Sequence, residues 1–102
     1  MGFNFNKYMP VGAKVRVIEP MNVPEWCKWD DDKGRIATSV KKRLQCLFFQ
    51  GDRRVTAEVV YVSKEAEREQ LRRDGRVKVR VRDPSGAMLT ITADPTKLTG
   101  AI

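Results

Sequence analysis

Four cations alternate with valines near the end of the chain and are the first candidates for chemistry. They occupy every second position from 76 to 82 and are Arg76, Lys78, Arg80 and Arg82. If this segment is a strand, the cations share one face and recur every ~6.6 to 6.8 Å, a repeat comparable to phosphate spacing along a nucleic-acid strand. We therefore predict contact with the backbone of RNA or DNA, with little sequence specificity.

Further cations can extend this surface, and they are Lys41, Lys42, Arg43, Arg53 and Arg54. The excess of Lys and Arg gives a net charge of +7, which suits a polyanionic partner. The alternative is structural, because exposed strands often carry Lys or Arg to keep the protein soluble and to prevent pairing between sheet edges.

A second candidate site is an acidic segment with two tryptophans, inside a long loop that we predict over residues 20–34. Trp26 and Trp29 are followed directly by Asp30, Asp31 and Asp32. Aromatic rings beside carboxylates suit a basic or methylated side chain through cation–π contact. This predicts, as the alternative function, a module that binds a basic peptide. The competing structural interpretation is that the tryptophans plug the open end of a barrel.

Nothing in the sequence compels catalysis. The chain has no histidine, so neither a Ser-His nor a Cys-His nucleophile pair can form. Cys27 and Cys46 alone cannot furnish a structural zinc site, and the run from Asp30 fails the calcium-loop pattern because Lys41 stands where the closing Glu is required. We predict no enzyme, no cofactor and no metal site.

Length and composition indicate one small domain. A chain of 102 residues can bury one modest core, and no span of eighteen apolar residues indicates a membrane helix. No secretory signal precedes the two cysteines, so we expect free thiols and a cytoplasmic location.

A β-hairpin from Arg76 to Thr92 is the best-defined element. Asp83, Pro84 and Gly86 match a type I turn followed by a residue in the left-handed region, which would pair Asp83 with Ala87 and Val81 with Leu89. The inner face then consists of aliphatic residues, for which Val15, Val17 and Val59 are the expected packing partners.

The remaining elements must position these surfaces. Alternation predicts strands at Ala13–Glu19, Arg35–Val40 and Arg54–Ser63, and a last short strand at Thr99–Ile102. Residues 43–50 fit either a helix or a strand, and we favour a strand that forms a second hairpin across the turn at Gly51. A charged connector helix is predicted over residues 64–73, with Ser63 as its N-cap, and one 3₁₀ turn at 95–98. Residues 1–12 are either an arm laid on the domain or a disordered tail.

The order of elements from Val55 to Ile102 resembles the SH3-like small barrels of Tudor and KOW modules. The segments that carry the resemblance are AEVVYV, GRVKVRVRDPSG, MLTIT and DPTKL. The chain departs from those modules in having a charged helix where they have a short loop. The resemblance implies a mainly β barrel of five to six short strands over residues 13–102, of a kind that binds nucleic acid or peptides and seldom catalyses.

Overall fold

An antiparallel sheet of five strands organises the chain in a computed structural model that describes residues 10–30 and 37–98. The strands are β1 (Lys14–Val15), β2 (Trp29–Asp30), β3 (Thr56–Val59), β4 (Val77–Arg82) and β5 (Met88–Ala93). Their order across the sheet is β1-β3-β4-β5-β2. The predicted arm at residues 1–12 falls largely outside the described residues, and the predicted strand at Thr99–Ile102 falls wholly outside them.

The predicted hairpin is confirmed as β4 and β5. Val81 lies opposite Leu89, and the Asp83 N–H donates to the Ala87 carbonyl at 3.1 Å, as the turn residues predict. Gly86 has φ +92°, a conformation that disfavours residues with a side chain. The turn chemistry therefore fixes the register of these two six-residue strands.

The inner face of this sheet carries the core. Val79, Val81 and Ile91 are fully buried, and Leu89 is almost so. The predicted packing partners on β1, on β3 and at position 17 all join the same cluster. The alternating pattern thus assigned the buried face correctly.

Helix α1 (Thr38–Phe49) overturns the prediction of strands at Arg35–Val40 and 43–50, and with it the second hairpin. Arg35 and Ile36 lie outside the described residues. Leu44 and Phe48, one helical turn apart, are buried against the inner face of the sheet. Residues 43–49 are helical because the sheet leaves its inner face to be covered, and one apolar stripe of the helix covers it.

The connector helix is confirmed as α2 (Glu65–Asp74), ending at Gly75 in the left-handed conformation. The predicted N-cap is wrong: Lys64 holds that position, and no side chain caps the helix. The 3₁₀ turn is confirmed at Pro95–Lys97, where the Thr96 N–H donates to Asp94.

The strands outside the hairpin are shorter than predicted. The first is confined to β1, after which Val17 forms a single bridge to Leu98. The strand predicted at Arg54–Ser63 is reduced to β3, and the predicted loop at 20–34 contains β2, which pairs with β5. The fold is therefore mainly β, as predicted: a small antiparallel sheet with two helices among the described residues instead of one.

Candidate nucleic-acid interface

The face of the sheet opposite the core is rich in cations and hydroxyls. Arg80 lies between Glu58 on β3 and Thr90 on β5, and Arg82 lies between Thr56 and Met88. Because neighbouring strands are in register, side chains that alternate outwards on each strand meet on this one surface.

Two shallow grooves show which cations are neighbours. Lys14, Arg80 and Arg82 line one groove together with Thr56. Lys14 and Thr56 also line the second groove, which includes Arg16. We call Lys14, Arg16, Arg80 and Arg82 the outer basic face; all four are exposed. Glu58 lies within this face, 3.6 Å from the Lys14 ammonium.

Lys78 lies on the strand face that is predicted to contact phosphate, but its ammonium is already paired with carboxylates of the chain itself. Its ammonium pairs with the carboxylates of Asp30 on β2 and Glu67 on α2, and its side chain is only 12% exposed. Burial alone would lower the pKa of Lys78, but hydrogen bonds to the two carboxylates raise it above its ordinary value. Lys78 therefore links three elements and remains charged throughout the physiological pH range.

Arg76 is also engaged. Its guanidinium carbon lies 4.0 Å from the ring centroid of Trp26, a close cation–π contact between the loop and the start of β4. Of the four cations predicted on this strand, Arg80 and Arg82 remain available. Arg82 contacts the sulfur of Met88 at 3.2 Å, and Arg80 forms no ion pair with any residue in 10–30 or 37–98.

None of the other predicted cations lines the two grooves of the outer basic face. Lys41 is buried in α1, while Lys42 and Arg43 are exposed on the same helix, which packs on the core side of the sheet. Arg43 lies 3.6 Å from Asp83. Arg54 binds Asp52 at 2.8 Å and, by hydrogen bonding, lowers the pKa of that carboxyl to about 2. Arg53 is exposed in the turn before β3.

The predicted peptide site is partly assembled but holds cations of the chain itself. Trp26 and Trp29 are both half-buried, and Trp29 packs against the edge of the core. Trp26 faces Arg76, and Asp30 binds Lys78. Asp31 and Asp32 lie outside the described residues. Trp26 and Asp30 thus contact cations of the chain itself, and the two tryptophans are neither fully exposed nor fully buried.

A polar groove of about 510 Å³ adjoins the outer basic face. Its walls come from β2, β4, β5, α2 and the segment between β3 and α2, and they include Trp29, Tyr61, Lys78, Arg80 and Thr90. Tyr61 is 64% exposed. Sequence reasoning overlooked Tyr61, Lys14 and Arg16 as site residues, although the alternation predicted over Ala13–Glu19 already directs Lys14 and Arg16 outwards.

Within the described ranges, no three His, Cys, Asp or Glu side chains lie together in a way that could hold a metal ion. No helix in the same ranges has the length and apolar character needed to cross a bilayer. Comparisons with protein-family models, curated proteins and solved structures found no match to this chain.

Proposed function

We propose that this chain is a small, cytoplasmic, non-catalytic β-domain that binds the phosphate backbone of RNA or DNA. The observation that carries the proposal is the outer basic face, where Lys14, Arg16, Arg80 and Arg82 line adjoining grooves on an exposed sheet surface. Sequence-independent binding to nucleic acid depends mainly on such clustered cations, because each neutralised phosphate releases counterions.

The neighbouring side chains suit the same ligand. Thr56 and Thr90 flank the cations and supply neutral hydrogen-bond donors, which commonly add to phosphate contacts. Glu58 is the carboxylate that the register places directly beside Arg80, and Lys14 lies close enough to offset its charge. The surface therefore keeps a positive balance across β1, β3 and β4.

The topology supports an SH3-like barrel as the scaffold. A single bridge between Val17 and Leu98 connects the segment after β1 to the segment after the 3₁₀ turn, a contact of the kind that would help to close such a barrel. The meander of β3, β4 and β5 is consistent with the same architecture.

The absence of catalysis is part of the proposal. The sequence offers no histidine as a general base, and burial raises the pKa of the Cys27 thiol to about 11, which disfavours its nucleophilic form. Binding of a basic peptide is the less favoured function. The guanidinium of Arg76 already lies over the Trp26 ring, where a basic side chain of the peptide would bind.

The first prediction concerns the two available arginines of β4. Replacing both in an Arg80→Ala/Arg82→Ala variant should weaken binding to a mixed nucleic-acid pool by about tenfold or more at low salt, since two charge-assisted contacts are lost. The slope of log K against log salt should also become shallower by about 1 to 2. Fluorescence anisotropy titrations at several salt concentrations measure both quantities.

The matched control is Lys42→Ala/Arg73→Ala, which removes the same charge from exposed positions on the two helices. Its affinity and salt slope should stay close to those of the parent protein. Equal weakening by both double variants would show that net charge, and not the outer basic face, drives binding. Binding to a basic peptide pool with none to nucleic acid would reject the proposal.

A further inference from the structure

The polar groove beside the outer basic face has the features of a site for unpaired bases. Resting on the function proposed above, we propose that the ligand is a single strand whose bases enter this groove and stack on Tyr61. Stacking on aromatic rings combined with a cationic track for the backbone is how proteins hold single-stranded nucleic acid without reading its sequence.

Tyr61 is held in place from one side. Arg68 donates a hydrogen bond to its hydroxyl at 2.7 Å, and the guanidinium carbon lies 5.5 Å from the ring centroid. Arg68 lines a separate, apolar groove on the other side of Tyr61 and takes no part in lining the polar one. The ring is therefore oriented by a residue of α2 while it still borders the polar groove.

Charge inside the groove permits an anionic ligand. Asp30 and Glu67 would repel phosphate, but both are paired with Lys78. Two further cations line the groove, Lys64 and Arg80, so its side chains carry a net charge of +1. Arg80 also belongs to the outer basic face. A backbone that follows this face would thus bring its bases to the entrance of the groove.

Size and geometry favour a single strand over a duplex. A volume of about 510 Å³ lies within the range of pockets that enclose small organic ligands, about 300 to 1,000 Å³. In a duplex each base is stacked on its neighbours, and its faces cannot reach a protein ring unless the base is extruded. The groove should therefore contribute to binding only when bases are free.

The test compares three labelled ligands of equal length: a pyrimidine single strand, a fully abasic strand of the same backbone, and a duplex. We expect the parent protein to bind the base-bearing strand about tenfold more tightly than the abasic strand, although the two carry equal charge. It should also prefer the single strand to the duplex, despite the higher charge density of the duplex.

Variants of Tyr61 test whether its ring causes the preference for the base-bearing strand. Tyr61→Ala should reduce affinity for the base-bearing strand about tenfold and leave abasic and duplex binding within about twofold. Tyr61→Phe keeps the ring and should stay within about twofold on all three ligands. Because Tyr61 is largely exposed, both variants should keep the parent melting temperature to within a few degrees, which circular dichroism checks.

The outcomes separate this inference from the proposed function. Equal affinity of the parent protein for base-bearing and abasic strands would overturn the stacking site while leaving backbone binding intact. The same conclusion would follow if Tyr61→Ala lost affinity for all three ligands by the same factor. Failure of every ligand to bind at low salt would overturn both. A strong preference for the duplex would overturn the stacking site alone.

Discussion

At the scale of single residues, the two cysteines have opposite environments. The Cys27 thiol donates to the Thr92 carbonyl at 3.2 Å and accepts a hydrogen bond from the buried Gln45 amide at 3.0 Å. Burial is the main reason that its pKa rises to about 11, and the bond from Gln45 only partly opposes it. Cys46 is exposed on α1. Cys27 therefore joins the loop, β5 and α1 as a neutral structural thiol.

Alkylation should distinguish these thiols. At pH 8 only about one Cys27 thiol in a thousand is ionised, given its pKa of about 11, so iodoacetamide should modify Cys46 first and Cys27 at least tenfold more slowly. Peptide mass spectrometry over a time course measures both rates. In a Cys46→Ser control the slow phase should remain, and rapid labelling of Cys27 in the folded protein would contradict this environment.

At the scale of elements, the turn between β4 and β5 depends on one carboxylate. Asp83 Oδ1 accepts hydrogen bonds from the Ser85 hydroxyl and from the backbone N–H groups of Ser85 and Ala87, at 3.0 Å and 3.1 Å for the two amides. The Ser85 hydroxyl, these amides and the nearby Arg43 lower the pKa of Asp83, outweighing its burial. Three hydrogen bonds to one carboxylate oxygen thus hold the turn in a defined conformation.

Removing this carboxylate should loosen the hairpin. Asp83→Ala removes the acceptor of three partly buried hydrogen bonds and should cost about 1 to 3 kcal/mol of unfolding free energy at pH 7. Asp83→Asn keeps one acceptor oxygen and should cost less. Because the folded pKa is lowered, the charge stabilises the protein above the unfolded pKa of about 3.9, and that contribution is lost as pH falls through the folded value.

Denaturation at pH 7 and at successively lower pH therefore provides the check. The stability gap between the parent and Asp83→Asn should narrow as the pH falls below about 4. A gap that stays constant with pH would show that the charge of Asp83 does not stabilise the turn.

At the scale of the whole molecule, one core joins the sheet to α1. Val79 is fully buried on the inner face of the hairpin, whereas its neighbour Arg80 is exposed on the opposite face. Val79→Ala should cost about 1 to 3 kcal/mol of unfolding free energy because it leaves a cavity. Arg80→Ala should stay within ~0.5 kcal/mol. A pair of chemical denaturation curves measures the difference, and equal losses would contradict the assignment of the two faces.

The sequence pattern correctly predicted those elements that are determined by residues close together in the chain. The hairpin register follows from strict alternation and from Asp83, Pro84 and Gly86, which are adjacent in sequence. Residues 43–50 were predicted wrongly because a short apolar run fits a strand and a helix equally well. What decides between them is the uncovered inner face of the sheet, a property of the assembled fold.

The site was predictable only in part for the same reason. Alternation identifies the outward cations of β4, but it gives no sign that Asp30 and Glu67 neutralise Lys78, since these come from β2 and α2. Likewise, the exposure of Tyr61 depends on where the segment before α2 leaves the sheet. The packing of β2 and α2 beside β4, which the sequence does not encode locally, determines which cations of β4 remain available.

The contact between Arg76 and Trp26 makes free cationic ligands compete with Arg76 for the Trp26 ring. A guanidinium tethered 4.0 Å above the ring acts as an internal ligand, and tethered groups commonly reach effective concentrations on the order of millimolar. A free basic peptide must displace it, so the apparent affinity of such a peptide falls in proportion to the fraction of time that Arg76 leaves the ring uncovered. Weak cationic ligands, which are abundant in cells, are thereby kept off Trp26.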